Sequence, residues 1–538
     1  MKEFIEAPRR IYEEAKKDGR LIEGLSLEEL KLFTLKQEGV VTTGMGSVAA
    51  YSDPMSRAAA KTKNSIDHEF GEEERQLANQ AIEILRKYKV VSLDFPVGKT
   101  DEITGRLLVS EDYSQLAYAT RLLFGEGSER IVEYPTYQIV LFTDNNFERN
   151  KKIKDVREKD VTIRLWMEKD RREQVKIGRN TTYFGEVKKG VFTFEDWRVK
   201  AIDKEGIFLH AGVRRDKLWT YNYKTKKPEL EEKITAISGL TATGKTSLLC
   251  RKSGRMPREK SEMVGEDGGT FRFDGSFCAF EKSGVYAKTD SIDRVHPEIL
   301  SASLAEEAYL ENVSLRQYPY IPNFSNVSLT KNSRAVVLRE NLGIASEEID
   351  VDRIDNIALL TRNPLINAIS WLKTPEQATM QEIYGESIQS SGGVEVEAGK
   401  PIREFFLDPF VVGDRLEHAM IFYDFLKKND HINCYLLNTG TIGQDGIDIT
   451  LRDTLAILND LLRERMKFSP NPDSLGYFYP IKCDRANLDK LTASDNFEPE
   501  VYEKRIKEFL TGRQLYLEEF KSKWGEIPEN IKESLRYE

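Results

Sequence analysis

Cysteine is scarce: the 538 residues hold four (Cys250, Cys278, Cys434 and Cys483), with no C-x-x-C pair and no zinc-ligand spacing. Disulfide scaffolds and zinc ribbons are thereby excluded, and reduced, buried thiols are expected. Long apolar runs are missing too; none approaches the roughly 18 residues that a membrane-spanning helix needs. The opening segment, MKEFIEAPRRIYEEAKKDGR, is charged and holds no apolar signal-peptide core. A cytoplasmic location is the expectation. Nor is there a cationic surplus: 80 Lys and Arg stand against 89 Asp and Glu, a formal charge of −9. A global basic footprint for nucleic acid is therefore absent, and neither nucleic acid nor membrane is an expected partner.

What remains is the composition of a folded enzyme, 40% hydrophobic, 31% charged and 10% aromatic. At roughly 150 residues per domain the length allows two to four domains. Apolar residues at helical spacing run through 1–38, with Ser26 and Glu29 forming a capping box, and again through 72–88. VVSLDFPVG, TGRLLVSE and YQIVLFTD read as short strands, and 160–225 reads as strand-like, rich in Thr, Val, Phe and Tyr. A junction is expected near 205–230. Helix-then-strand follows in DFLKKNDHINCYLLNTG, a periodic helix in RDTLAILNDLLRERMK, and an amphipathic helix near the end. Residues 385–401 lack an apolar period and read as a loop. The fold class is α/β.

The sharpest motif is Gly239-Leu240-Thr241-Ala242-Thr243-Gly244-Lys245-Thr246, a full G-x-x-x-x-G-K-[ST] match after a β-rich run. Glycines let backbone N–H groups wrap phosphate oxygens, Lys245 supplies a point charge, and the Thr246 hydroxyl can ligate Mg²⁺. Downstream, Met263-Val-Gly-Glu266-Asp267 reads as a strand ending in the carboxylates that a phosphate-bound metal needs, Asp267 being the stronger candidate. Tyr183-Phe-Gly-Glu-Val-Lys188-Lys189-Gly-Val-Phe192 sets two lysines at a turn before a Val/Phe strand. Ile207-Phe-Leu-His210-Ala sets a histidine in an apolar strand. Each alone reads as solvated surface or a satisfied core residue. His68, His296, His418 and His431 lack any partner pattern and read as structural or surface residues.

In series, these segments resemble the ATP-dependent phosphoenolpyruvate carboxykinases, where Y-x-G-E-x-K-K-x-x-F, a strand histidine, G-L-S-x-T-G-K-T and I-G-D-D follow in this order. Asn332-Ser-Arg334 resembles the family's N-T-R, CYLLNTGTIG its Y-L-V-N-T-G-W-x-G, and ITLRDTLAIL its I-S-I-x-D-T-R-A-I-I. The resemblance covers nearly the whole chain. It implies a two-lobed fold with the P-loop in the C-terminal domain and the active site in the cleft between lobes. The domains expected are a substrate-binding 1–215 and a nucleotide- and metal-binding 216–538.

The resemblance further implies conversion of oxaloacetate and ATP to phosphoenolpyruvate, CO₂ and ADP, with Mg²⁺ on the nucleotide and Mn²⁺ as second metal. Lys189, His210 and Asp267 would hold the Mn²⁺, which requires a neutral Lys189, and Thr246 the Mg²⁺. Arg57, Tyr183, Lys188, Lys245 and Arg334 would act on the reactants; Lys288 and Thr454 would join the P-loop in binding nucleotide. Residues 385–401 occupy the position of the family's lid. Departures fall around this set. Arg57 lies in Met55-Ser-Arg-Ala-Ala-Ala-Lys61 instead of the family's T-G-R-S-P-K-D-K, the acidic loop shortens to Glu266-Asp-Gly-Gly269, and the arginine before I-S-I becomes Asp448. The alternatives left open are another acceptor, another phosphoryl donor (GTP or pyrophosphate), or nucleotide binding without turnover.

Overall fold

The computed structural model describes residues 1–53, 61–99, 103–127, 134–144, 161–222, 224–240, 243–252, 256–290, 292, 296–317, 319–388, 400–487 and 491–535. The chain divides into two compact units. The first joins Met1–Lys204 to Ala279–Gly343, and the second joins Glu205–Cys278 to Ile344–Ser391 and Val396–Glu538. The expected junction near 205–230 coincides with this division at its lower edge. The expected 215/216 border is corrected: it cuts the continuous strand Ala211–Asn222, and 279–343 belong with the first unit.

In the first unit a mixed seven-stranded sheet runs, in spatial order, Leu21–Ile22, Val90–Val97, Ile103–Ser110, Tyr137–Phe142, Arg171–Arg179, Thr162–Glu168 and Thr62–Asn64. Every residue of Tyr137–Phe142 is buried, as befits a central strand covered on both faces. Helices Lys2–Lys17 and Glu72–Leu85 contribute Phe4, Ile11, Leu77 and Ile82 to a core shared with Val140 and Ile177. The Ser26–Glu29 capping box closes helix Leu27–Thr34 as expected. A second sheet of five strands orders Gly284–Lys288, Arg334–Leu338, Tyr309–Glu311, Val48–Ala50 and Val40–Thr42.

The strand-like reading of 160–225 fails in its middle. Gly185–Trp197 is an α-helix that continues as a π-helical turn to Asp203. Its residues are buried nearly all round, which removes the polar face that would have betrayed a helical period. Its charges are paired along the helix instead, Glu195 with Arg198 at 2.8 Å and Asp196 with Lys200 at 2.7 Å.

In the second unit a six-stranded sheet orders Lys260–Gly265, Ala211–Asn222, Lys227–Ser238, Asn356–Thr361, Asn433–Asn438 and Ile369–Leu372. The three strands Lys227–Ser238, Asn356–Thr361 and Asn433–Asn438 are parallel to one another, so their C-terminal ends open on the same edge. Helices Arg415–Lys428, Leu451–Leu462 and Pro499–Trp524 fall where the sequence placed helices.

One buried ion pair ties this sheet to the P-loop helix. Arg214 and Asp216 have fully buried side chains and meet through two bonds of 2.6 and 2.7 Å. Arg214 also donates to the Leu248 and Arg251 carbonyls, while Ser261 donates to Asp216 at 2.6 Å. Removing one partner of such a pair strands the other charge in a dry interior. Arg214→Leu is expected to cost about 3–5 kcal/mol in urea unfolding, with part of the loss restored in the Arg214→Leu, Asp216→Leu double variant.

Candidate active site

In the second unit the strand Lys227–Ser238 runs straight into Gly239 and the P-loop. Thr241 and Ala242 lie outside the described residues. Gly244 has φ 100°, a left-handed conformation costly for any side chain, and it precedes a helix of only five residues, Lys245–Leu249. Thr243 is anchored twice on the Leu240 carbonyl, by N–H at 3.1 Å and by hydroxyl at 2.7 Å. From the outside, Thr439 Oγ1 donates to the Thr243 carbonyl at 2.5 Å.

The side chains singled out beside this turn converge on one carboxylate. Lys245 Nζ pairs with Asp267 Oδ1, and His210 Nε2 lies 3.0 Å from the same oxygen. His210 sits at the junction between strands Gly206–Leu209 and Ala211–Asn222 rather than inside one. Its Nδ1 approaches the Leu407 carbonyl at 3.4 Å, and Phe410 meets the ring edge-on at 5.6 Å. Burial, helped by the Lys245 charge, pushes the imidazole pKa down, so the ring is held neutral. Glu266 faces the other way: its Oε1 accepts from Thr246 Oγ1 at 2.7 Å. The ladder pairing Ala211–Asn222 with Lys260–Gly265 slips at Val213/Arg214, leaving an extra residue, Val264, just before these acids. Bulges of this kind re-aim side chains beside functional sites.

Thr454 is buried on helix Leu451–Leu462, with its hydroxyl on the Thr450 carbonyl at 3.3 Å. Asp448 is exposed on the short strand Ile447–Asp448. Among the described residues no three His, Cys, Asp or Glu side chains gather where they could hold a metal ion.

The first unit gathers a second cluster. Tyr183 is buried, and its ring lies so close to Gly185 that a Cβ there would fall 2.4 Å from it, which explains the glycine in Tyr-Phe-Gly-Glu. Asn332 Nδ2 donates to Tyr183 Oη at 3.1 Å, and Arg334 donates to Asn332 Oδ1 at 2.8 Å. Lys188 and Lys189 stand on the helix Gly185–Trp197, which corrects the turn expected there. Lys188 pairs with Glu281 at 2.6 Å, and Lys189 with Glu186 at 2.9 Å. The Tyr286 ring has Arg334 5.3 Å and Lys188 5.5 Å from its centroid, a shared cation–π platform. Lys288 lies across the ladder from Arg334, in this unit. Arg57 and the greater part of the 385–401 loop (389–399) lie outside the described residues.

Three carboxylates of this cluster escaped the sequence reading. Glu186 serves both Lys189 and Lys176; burial would raise its pKa, but the two lysines outweigh it and hold it at about 2. Its i,i+3 relation to Lys189 was the available signal, hidden because the segment read as a turn and strand. Glu281 and Glu311 had no signal, being distant in sequence from their partners. Glu311 is fully buried, accepts from Tyr286 Oη at 2.6 Å and from the Phe184 amide at 2.7 Å, and is pushed up by burial to about 7. Because the folded chain holds this proton more tightly than the ordinary 4.5, the contribution is fully present below about pH 4.5 and fades as pH rises through about 7. Glu311→Gln is expected to gain about 3 kcal/mol relative to the native chain between those limits, read from unfolding midpoints against pH. Parallel pH profiles for the two proteins would remove Glu311 as the titrating group.

A family model described as phosphoenolpyruvate carboxykinase matches residues 54–487. A phosphoenolpyruvate carboxykinase (ATP) of Aeropyrum pernix is 26% identical over 452 residues, covering 83% of this chain and 84% of that protein. Proteins of the same name from Rhodopseudomonas palustris (strain BisB5) and Campylobacter jejuni subsp. jejuni (serotype O:23/36) are 29% identical over 279 residues and 25% over 298. These two matches cover 51% and 54% of this chain, and 47% and 52% of the relatives.

Proposed function

The chain belongs to the ATP-dependent phosphoenolpyruvate carboxykinase family, and on that footing we propose that it decarboxylates oxaloacetate and phosphorylates the resulting enolate with ATP, giving phosphoenolpyruvate, CO₂ and ADP. The observation that carries this reading is the Asp267 carboxylate beside the P-loop, approached at one oxygen by both Lys245 and His210. A lysine held in this way is poised to leave the carboxylate for triphosphate oxygens, where its charge offsets that of the transferring phosphoryl group.

The donor chemistry fits a divalent cation. A neutral imidazole and a carboxylate lie 3.0 Å apart, and the Thr246 hydroxyl stands on the neighbouring Glu266. His210 and Asp267 would hold the catalytic cation, Mn²⁺ in this reading, with Lys189 as a third donor; Thr246 would hold the Mg²⁺ of the nucleotide. Such a cation supplies Lewis-acid stabilisation of developing negative oxygen charge. To donate from Nε2, His210 carries its proton on Nδ1, where the Leu407 carbonyl can accept it. Lys189 would have to surrender a proton that Glu186 favours keeping, so cation binding releases protons and tightens as pH rises.

The remaining residues handle substrate. Arg334 offers a planar fork to the oxaloacetate carboxylate and then to the phosphoryl oxygens, and Asn332 and the Tyr286 ring hold it in place. Tyr183 and Lys188 add hydrogen-bonding and cationic groups for a dianion, and Arg57 keeps the substrate role that the family resemblance implies. Lys288 and Thr454 act toward the nucleotide, and residues 385–401 act as the lid that keeps water from the enolate. Asp448, replacing an arginine of the family pattern, favours a second reading in which the donor is GTP or pyrophosphate.

Full-length protein with oxaloacetate and Mn²⁺ is expected to form phosphoenolpyruvate with ATP, and Lys245→Ala is expected to lower kcat by about 10²–10³. Product with GTP or pyrophosphate but not ATP would replace the nucleotide assignment. His210→Ala and Lys189→Ala are expected to weaken Mn²⁺ binding, read by electron paramagnetic resonance. Native affinity in both variants would remove them from the metal site.

A further inference from the structure

The second unit contains a cavity of about 460 Å³ whose lining includes none of the described P-loop residues, nor His210, Asp267 or Thr454. Its apolar wall comes from Leu365 and from one face of helix Pro499–Trp524, which contributes Phe497's neighbour Val501 and, two turns on, Phe509. Three guanidiniums, Arg362, Arg403 and Arg505, share the remaining wall with a single carboxylate, Glu386.

That carboxylate is already committed. Glu386 is buried and accepts two bonds from Arg513, at 3.0 and 2.8 Å, leaving Arg403 a single contact of 3.2 Å. Among the described residues Arg362 Nε is buried without a hydrogen-bond partner, and the guanidinium feels the Asp448 carboxylate without forming an ion pair. Arg505 is exposed and forms no ion pair with a described residue. A partly dry cavity with three cations and one shared anion is unbalanced, and guanidinium forks match phosphate or carboxylate oxygens in pairs. The volume falls within the roughly 300–1,000 Å³ of small-molecule sites.

We propose that this cavity is a second ligand site, separate from the P-loop, which takes an organic anion of mononucleotide size: an aromatic ring against Phe497 and Phe509, and a phosphate or carboxylate on the arginines. The site also reaches the P-loop through the backbone. The Thr361 carbonyl, next to Arg362, accepts from the Thr439 amide at 3.0 Å, and Thr439 is the residue that braces the Thr243 carbonyl. Gly440 lies so close to Arg362 that an added Cβ would come within 3.0 Å of its side chain. A ligand that draws Arg362 into the cavity therefore acts on the loop supporting the phosphate turn.

The test uses the full chain with saturating Mg-ATP, so that the P-loop is filled, and 8-anilino-1-naphthalenesulfonate as an aromatic anionic probe. Saturable binding is expected, weakened at least tenfold in Arg505→Glu and in Val501→Trp, which fills the cavity from the same helix. Circular dichroism and thermal melts check that both variants remain folded; Arg505 is exposed, so its reversal leaves the core untouched. Displacement by adenosine monophosphate assigns a phosphate head and displacement by phenylpyruvate a carboxylate head. Equal probe affinity in native chain and both variants, or displacement by neither competitor, overturns the site. The link is read separately: the effective competitor is expected to shift ATP affinity at least twofold in the native chain and not in Arg505→Glu. Unchanged ATP affinity in the native chain overturns the link. None of these readouts needs turnover, so failure of the proposed reaction is distinguishable from failure of this site.

Discussion

One carboxylate oxygen organises the surroundings of the glycine-rich turn in the second unit. Asp267 Oδ1 receives both the ammonium of Lys245 and the imidazole edge of His210, which holds three groups from separate parts of the sequence in one place. Half-buried, Asp267 is partly withdrawn from water, and a cation and a hydrogen-bonding ring offset that cost. Much of the surrounding architecture serves to aim it. The slip in the Val213/Arg214 ladder turns the chain just before Glu266 and Asp267, and the buried Arg214–Asp216 pair fastens the same strand to the end of the P-loop helix.

The first unit solves a different electrostatic problem. It gathers Lys188, Lys189 and Arg334 in a small volume, and it limits their repulsion with carboxylates placed behind them and aromatic rings beside them. Glu281 and Glu186 take the two lysines, while the Tyr286 ring spreads its face between Lys188 and Arg334. The arrangement suits a dianionic substrate, because its cations are held in position before any ligand arrives and need little reorganisation. Glu311 stands one step further back, fixing Tyr286 and the start of the Lys188 helix through the Phe184 amide.

One departure from the family pattern, Asp448, lies in the second unit on the loop that follows strand Asn433–Asn438. There it faces outward, and Arg362 stands against Gly440 with its charge incompletely matched. The cavity beyond Arg362 shows the same imbalance, since Glu386 is shared between Arg403 and Arg513.

Local pattern revealed a good deal: the P-loop, the acids after their strand, the helices at Leu27–Thr34, Glu72–Leu85 and Leu451–Leu462, and the order of motifs that led to the family. These are signals carried by neighbours a few residues apart, through capping, amphipathic spacing and glycine-dependent turns. The helix bearing Lys188 and Lys189 was hidden because burial on every side erased its periodicity. The pairing of Lys288 with Arg334, the return of 279–343 to the first unit, and the partners of Glu281, Glu311 and Glu386 depend on residues far apart in the chain. Only folding decides which of many equivalent carboxylates meets which cation, because that choice is made by distance in space, and linear order does not encode it.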